Sequence, residues 1–247
     1  MRTLDTVLLA LIFLGTAYCI KLLRALHKRQ SKANTQTQQS LRDLKRSIWQ
    51  SYRQSESLQQ LLTLLKFSAP IPPTRGWAAS PDLLLTIADL VRTRKPSLVV
   101  ELGSGVSTLI TSKAGARKII SIDHLAEYAE KTRQMLKEHR VRGVEVRVAP
   151  LKPHTSGVTW YDTTKLKDIK RIDMLIIDGP PGSENPEARK PALAELLTKL
   201  SPKATIVLDD VNRPGERALA EAFAKALPTH VLTIYEHEKG TAVISSR

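Results

Sequence analysis

Aromatic residues make up only 4% of this 247-residue chain, although 42% of it is hydrophobic. So small a supply argues against an aromatic-rich all-β sandwich and for a core of Leu, Ile, Val and Ala. There is a single cysteine, Cys19, so no intrachain disulfide can form, which fits a reducing compartment. No internal repeat is visible. Acidic residues are too few to balance the basic ones, and the net charge is +14. The surplus is uneven: residues 1–53 hold ten Lys/Arg against two Asp, so +8 of it lies in the N-terminal arm. Such charge suits either nucleic acid or an anionic membrane surface. The length accommodates one α/β domain of ordinary size plus an extension.

The arm decides between those two partners. Residues 6–20, "TVLLALIFLGTAYCI", run for fifteen positions without a charge. As a helix the run spans ~22 Å at ~1.5 Å per residue, short of the ~30 Å hydrocarbon core. Leu4 and "KLLRAL" lengthen the apolar surface, and Lys21 and Arg24 can snorkel, so a span from Leu4 to Leu26 is adequate. Arg2 and Asp5 precede the run; Lys21, Arg24, Lys28, Arg29 and Lys32 follow it, and the basic flank stays in the cytoplasm. Residues 1–29 are therefore expected to be a single-pass membrane anchor with the following domain in the cytoplasm, and no nucleic-acid partner is expected. A cleaved signal, with Gly15-Thr16-Ala17 as its small-x-small site, and a buried soluble helix are the alternatives. Residues 30–40 are polar without periodicity and read as a flexible linker. Residues 41–67 read as an amphipathic helix with Leu41, Leu44, Ile48, Leu58, Leu62 and Leu65 at heptad positions, interrupted by Ser51 and Ser55. It either packs on its own domain or pairs two chains as a homodimer. Residues 68–79 are a Pro-rich boundary that cannot continue a helix.

From Ser80 to residue 247 the pattern alternates. Ser80 and Pro81 open a helix, and the apolar runs "SLVVEL", "KIISID", "VEVRVA", "DMLIID", "ATIVLD", "VLTIYEH" and "TAVIS" are separated mostly by helical stretches. This predicts an α/β fold: a doubly wound, mostly parallel seven-stranded sheet covered on both faces. Only "EKG" joins the last two strands, too little for a parallel crossover, so they form a terminal antiparallel hairpin. Glu101, Asp123, Asp178, Asp209 and Asp210 all fall at C-terminal strand ends, the edge of such a sheet where ligands bind. One such acid is commonly a helix cap; five on one edge point to a site. Gly103-Ser104-Gly105 lets backbone approach a ligand and aims helix N–H groups at it. Thr108 replaces the third glycine of a dinucleotide fingerprint, while Asp123 stands twenty residues after Gly103, the spacing of a ribose-binding acid. Glu101 suits a cationic ligand, or an amino group bound through a water. The pair fits a positively charged nucleoside better than a dinucleotide.

On these residues the sequence resembles the class I S-adenosylmethionine-dependent methyltransferases, within a bacterial small-molecule subgroup. "VVELGSGVST" resembles their first motif, "SIDH" the second, "IDMLIIDGPPG" the fourth-strand motif and "ATIVLDDVNR" the fifth-strand end, with "ARKPAL" between the last two. The resemblance covers residues 80–247. It implies S-adenosylmethionine as cofactor, held by Glu101, Gly103, Ser104, Gly105, Asp123, His124 and Asp178, with His124 flanking the adenosine. It implies O-methylation of a small-molecule or lipid-linked acceptor, with Asp178, Asp209 and His154 as catalytic candidates. Related catechol-type enzymes hold Mg²⁺ where this chain has Asp178, Asp209 and Asp210, which implies Mg²⁺ or another divalent cation there; "DGPPG" departs from their sequence, and two of the acids have helix capping or pairing with Arg213 as alternatives. His154 is a general-base candidate or a solvated loop histidine. A non-catalytic membrane-tethered nucleoside-binding module, a nicotinamide-dependent oxidoreductase and an aminopropyltransferase remain the rival readings. The "NPPY"-type motif of amino-methylating enzymes is absent.

Overall fold

A computed structural model describes residues 2–182 and 185–246; Met1 of the expected anchor and Arg247 of the expected domain lie outside the described residues. The chain divides into two compact units, Met1–Tyr52 and Arg53–Arg247. The first consists of the greater part of helix α1 (Arg2–Leu64). Its apolar window has a mean hydropathy of 2.1 and none of it is buried, so the helix is long and apolar enough to cross a membrane by length and composition. The linker expected over 30–40 is helical instead. Its Gln, Lys and Ala residues are good helix formers, no Gly or Pro interrupts them, and the Thr35 and Thr37 hydroxyls donate to the Ser31 and Ala33 carbonyls at 2.9 Å, so the threonines too are satisfied within the helix.

In the second unit the end of α1 packs on the domain, with a different phase from the expected heptad seam. Gln54, Leu61 and Leu65 are buried, whereas Leu62 is exposed. Four- and three-residue steps place 54, 58, 61 and 65 on one helical stripe.

Among the described residues nine strands follow: β1 (Val99–Leu102), β2 (Ile119–Asp123), β3 (Val144–Val148), β4 (Leu151–Pro153), β5 (Thr159–Tyr161), β6 (Ile172–Ile177), β7 (Leu200–Asp209), β8 (His230–Tyr235) and β9 (Thr241–Ser246). Seven form one sheet in the order β3-β2-β1-β6-β7-β9-β8, while β4 and β5 make a separate hairpin. Pairing is parallel from β3 through β7, and β9 is antiparallel to both β7 and β8, as the short turn required. Helices α2 (Pro81–Arg94), α3 (Val106–Lys113), α4 (Ala126–Glu138), α5 (Pro191–Leu196) and α6 (Pro214–Ala226) complete the unit.

Alternation along each strand divides the core. Val99, Met174, Ile176 and Val207 pack with Leu83, Leu84 and Ile87 of α2, Val106 and Ile110 of α3, and Leu61 and Leu65. Val100, Leu102, Leu175, Ile177, Ile206 and Leu208 pack with Leu219 and Phe223 of α6, Leu196 of α5, and Trp160 and Tyr161. The two large aromatics thus serve as a plug at one face of a sheet otherwise built from branched aliphatics.

Candidate active site

The registers of the parallel strands align their exits. Leu102 pairs with Ile122 and Ile177, and Ile177 with Leu208. One residue further on, Gly103, Asp123, Asp178 and Asp209 therefore form a row along one edge of the sheet, with Asp210 next to Asp209. The crossing from β1 to its two neighbours, β2 on one side and β6 on the other, is the switch point at which α/β sheets open a crevice.

The turn after β1 is shaped by its neighbours. Gly103 has φ +98°, and a Cβ there would come 3.1 Å from the backbone carbon and oxygen of Asp178. Only glycine permits both that conformation and that approach. Beyond it, a Cβ on Gly105 would meet no atom within 4 Å, so the turn opens on free space at the start of α3. Asp123 braces the turn from the next strand: its Oδ2 accepts from the Ser104 amide at 3.2 Å and hydroxyl at 2.7 Å, and its Oδ1 from the Leu125 amide at 3.0 Å. A carboxylate has about four lone-pair positions, so Asp123 keeps capacity for a further donor. His124 lies beside it, Nδ1 3.6 Å from Oδ1.

Glu101 is positioned otherwise than an edge acid. It is fully buried beneath the turn, where its Oε2 accepts from Thr108 and Ser121, while Oε1 has no partner. Desolvation pushes its carboxyl up to about 7, against the pull of the Ser107, Thr108 and Ser121 hydroxyls. Any contact with a ligand has to reach that free oxygen from within the turn.

The other three acids assemble as expected. One oxygen from each of Asp178, Asp209 and Asp210 lies within 4.8 Å of the others. Asp178 has the most accessible side chain of the three, at 17%. Asp209 is buried and neither of its carboxylate oxygens has a hydrogen-bond partner; Lys239 Nζ stands 3.8 Å away. Burial, then the negative charges of Asp178 and Asp210, push its carboxyl up to about 8. Burial raises the carboxyl of Asp178 as well, against the pull of Arg189.

Sequence reasoning gave no role to Arg189, although it lies in the quoted "ARKPAL". Its guanidinium is buried between the ends of β6 and β7. It donates to the carbonyls of Pro180 (3.2 Å), Asp209 (3.1 Å) and Asp178 (3.1 Å), and to Asp210 Oδ2 at 2.8 Å and Asp178 Oδ1 at 3.4 Å. Arg213 donates to the same Asp210 oxygen at 3.0 Å, so the pairing weighed for that residue exists. A divalent cation needs the facing carboxylate oxygens at about 2.0–2.6 Å. Two of the three acids spend those oxygens on Arg189, and the residues as they stand do not fit a metal ion.

His154 is held elsewhere, in the turn of the β4–β5 hairpin. Its Nε2 lies 3.1 Å from Glu195 Oε1 and its Nδ1 2.8 Å from Ser156 Oγ, and it contacts none of the strand-end acids among the described residues. That hairpin brings Tyr161 instead. Its hydroxyl is buried without a partner, and a Cβ on Gly179 would fall 2.3 Å from it, so Tyr161 backs directly onto the turn that follows Asp178. The aromatic pair "WY" was the available signal for this element.

Residues 100–211 match a family model described as a methyltransferase domain. Among curated proteins none matches the sequence. Solved structures share the fold. An O-methyltransferase from Bacillus cereus, in complex with SAH, is 18% identical, with a TM-score of 0.55 over 78% of this chain and 91% of that one. An SAH-bound methyltransferase from Podospora anserina is 17% identical, TM-score 0.52, over 78% and 87%. A methyltransferase from Geobacter sulfurreducens is 19% identical, TM-score 0.51, over 66% and 77%.

Proposed function

We propose that this chain, whose residues 100–211 match a family model described as a methyltransferase domain, transfers a methyl group from S-adenosylmethionine to an oxygen of a small or lipid-linked acceptor at the membrane. The observation that carries the reading is the row of Gly103, Asp123 and Asp178 across three adjacent strands, with open space at Gly105 and spare lone pairs on Asp123. S-adenosylmethionine bound there supplies an electrophilic methyl group on a sulfonium. Asp123 accepts the ribose hydroxyls, His124 flanks the adenosine, and the Ser104–Gly105 backbone with the first turn of α3 faces the rest of the nucleoside. Glu101 Oε1, buried and unpartnered, is the acceptor left for an amino group or a bridging water. Methyl transfer of this kind depends mainly on alignment and exclusion of water. Asp178, the most accessible of the three strand-end acids, accepts the acceptor's hydroxyl and takes its proton. Asp209, whose carboxyl burial and the neighbouring acids push up to about 8, stays protonated beside it and leaves the negative charge to Asp178 and Asp210. His154, bound to Glu195, has no part in this reading.

The anchor completes the proposal. A single span over Leu4–Leu26, with its basic flank retained inside, leaves the catalytic domain in the cytoplasm. No nucleic-acid partner is assigned, because the basic surplus of the arm is accounted for by anionic lipid. Leu61 and Leu65 are committed to the domain itself, so a homodimer through 41–67 would use Leu41, Leu44 and Ile48, which are exposed.

The test is calorimetry on the full chain in micelles with S-adenosylmethionine, its demethylated product and NADH. Sulfonium binding without NADH binding is expected; NADH binding alone would return the oxidoreductase. Labelled methyl transfer into lipid or aqueous fractions of cell-envelope extracts then separates the acceptor classes, and binding with no transfer into either would leave a non-catalytic module.

A further inference from the structure

The cluster of Asp178, Asp209 and Asp210 has the form of a cation site, and one cation is already in it. The Arg189 side chain is 4% exposed. Its donors tie together the ends of two adjacent strands through three main-chain carbonyls and two of the three carboxylates. Glu216, at the start of α6, stands 3.8 Å from Arg189 Nε and 3.6 Å from Arg213 Nη1, and neither of its carboxylate oxygens has a hydrogen-bond partner. A guanidinium has five donors in a rigid fork and does not lose its proton at any pH a protein survives. Packed in this way it cannot swing aside as a surface arginine would. Hydration is not available to compensate a second positive charge beside it.

We infer that Arg189 is the resident cation of this site, taking the place a divalent metal would occupy and fixing Asp178 and Asp210 in position, so that the chain neither binds nor needs such a metal there. Three features support this. The Nη2 atom donates to one oxygen of each of two cluster acids, Asp178 Oδ1 and Asp210 Oδ2, and so puts a positive charge between them. The main-chain carbonyls of both Asp178 and Asp209, which a hard cation would also seek, are likewise taken by its N–H groups. Arg213, 3.0 Å from Asp210 Oδ2, and Lys239, 3.8 Å from Asp209 Oδ2, add further positive charge at the cluster. Arg189 is a positioning residue here: it touches the acids, and the acids face the acceptor. The functional part of the inference rests on the methyltransferase reading; the metal-binding part does not.

The experiment follows free Mn²⁺ by electron paramagnetic resonance during titration into the full chain in micelles. The wild type is expected to take up no stoichiometric Mn²⁺ below millimolar concentrations. Arg189→Met, which keeps length and apolar volume but removes the charge, should bind one Mn²⁺ at least tenfold more tightly than the wild type, and Asp178→Asn in that background should abolish the gain. Arg189→Lys should remain metal-free. A tight wild-type site lost on Asp210→Asn overturns the inference. So does a folded Arg189→Met variant that binds no Mn²⁺, since the guanidinium would then not be what excludes it. Should Arg189→Met fail to fold, the wild-type titration and Arg189→Lys still decide. Failure of S-adenosylmethionine to bind would instead sink the cofactor reading and leave the Mn²⁺ result standing.

Discussion

Two buried carboxyls set the behaviour of this site at the scale of single residues. Glu101 is held up to about 7 from an ordinary 4.5, chiefly by desolvation, and Asp209 up to about 8. A raised acid stabilises the fold relative to its unfolded value only while it is protonated. Its contribution is complete below the unfolded pKa and is lost as pH rises through the folded one. For Glu101 the loss amounts to about 3 kcal/mol at ~1.4 kcal/mol per pH unit. The thermal midpoint of the wild type should therefore fall between pH 5 and 8. Glu101→Gln should flatten the lower part of that decline and Asp209→Asn the upper part, measured by calorimetry across the range. Unchanged slopes in both variants would mean that neither group is protonated in the fold. At Asp123 the expected loss is in binding: Asp123→Ala removes charge-assisted bonds worth roughly 1.5–3 kcal/mol, so affinity for S-adenosylmethionine should drop at least tenfold by calorimetry. Gly103→Ala adds a methyl group 3.1 Å from the backbone of Asp178 at φ +98°, and should lower both stability and nucleoside affinity even though no functional group is lost.

Among the elements, the end of α1 is the one whose role changes most between sequence and structure. Gln54 Nε2 donates to Asp82 Oδ2 at 2.7 Å, and the same oxygen accepts the Glu238 amide at 2.9 Å, so α1, α2 and the β8–β9 turn meet at one carboxylate. Leu61 and Leu65 are wholly or nearly buried. Each contributes about 1.5–3 kcal/mol by burial, a large share of a typical stability of about 5–15 kcal/mol. A chain begun at residue 68, at the Pro-rich boundary, should thus aggregate or melt far below one begun at residue 53, as read by thermal unfolding. Equal midpoints would show the helix to be dispensable. The sheet itself was legible because its apolar runs are short, separated and punctuated by acids. The docking phase of α1 was not, because Leu58, Leu61, Leu62 and Leu65 support two overlapping stripes and only the partner surface selects one. The β4–β5 hairpin was missed because β4 is three exposed residues, one of them Pro153. In the site, glycines and acids were legible by spacing. Arg189 was not, because its partners are mostly main-chain carbonyls, which leave no mark in a sequence.

At the scale of the molecule, charge and hydropathy set the first part of the chain apart from the rest. The apolar window of α1 lies wholly exposed, and all the basic residues of residues 1–53 but Arg2 follow it. The full chain should stay with membranes through a carbonate wash, and deletion of residues 1–29 should release it in folded form. A mature N-terminus at Tyr18 would show a cleaved signal instead. The order of the strands has a separate consequence, in the time course of folding. β9 follows β8 in the chain but lies between β7 and β8 in the sheet. Among the described strands β8 pairs with β9 alone, so it has no neighbour to bond until β9 takes its place beside β7. The edge must then be added as a finished hairpin, whose turn carries Lys239 to Asp209 and Glu238 to Asp82 in the same movement. Until that late event the reacting edge of the nascent protein lacks one of its fixed positive charges, and α1 lacks one of its clasps.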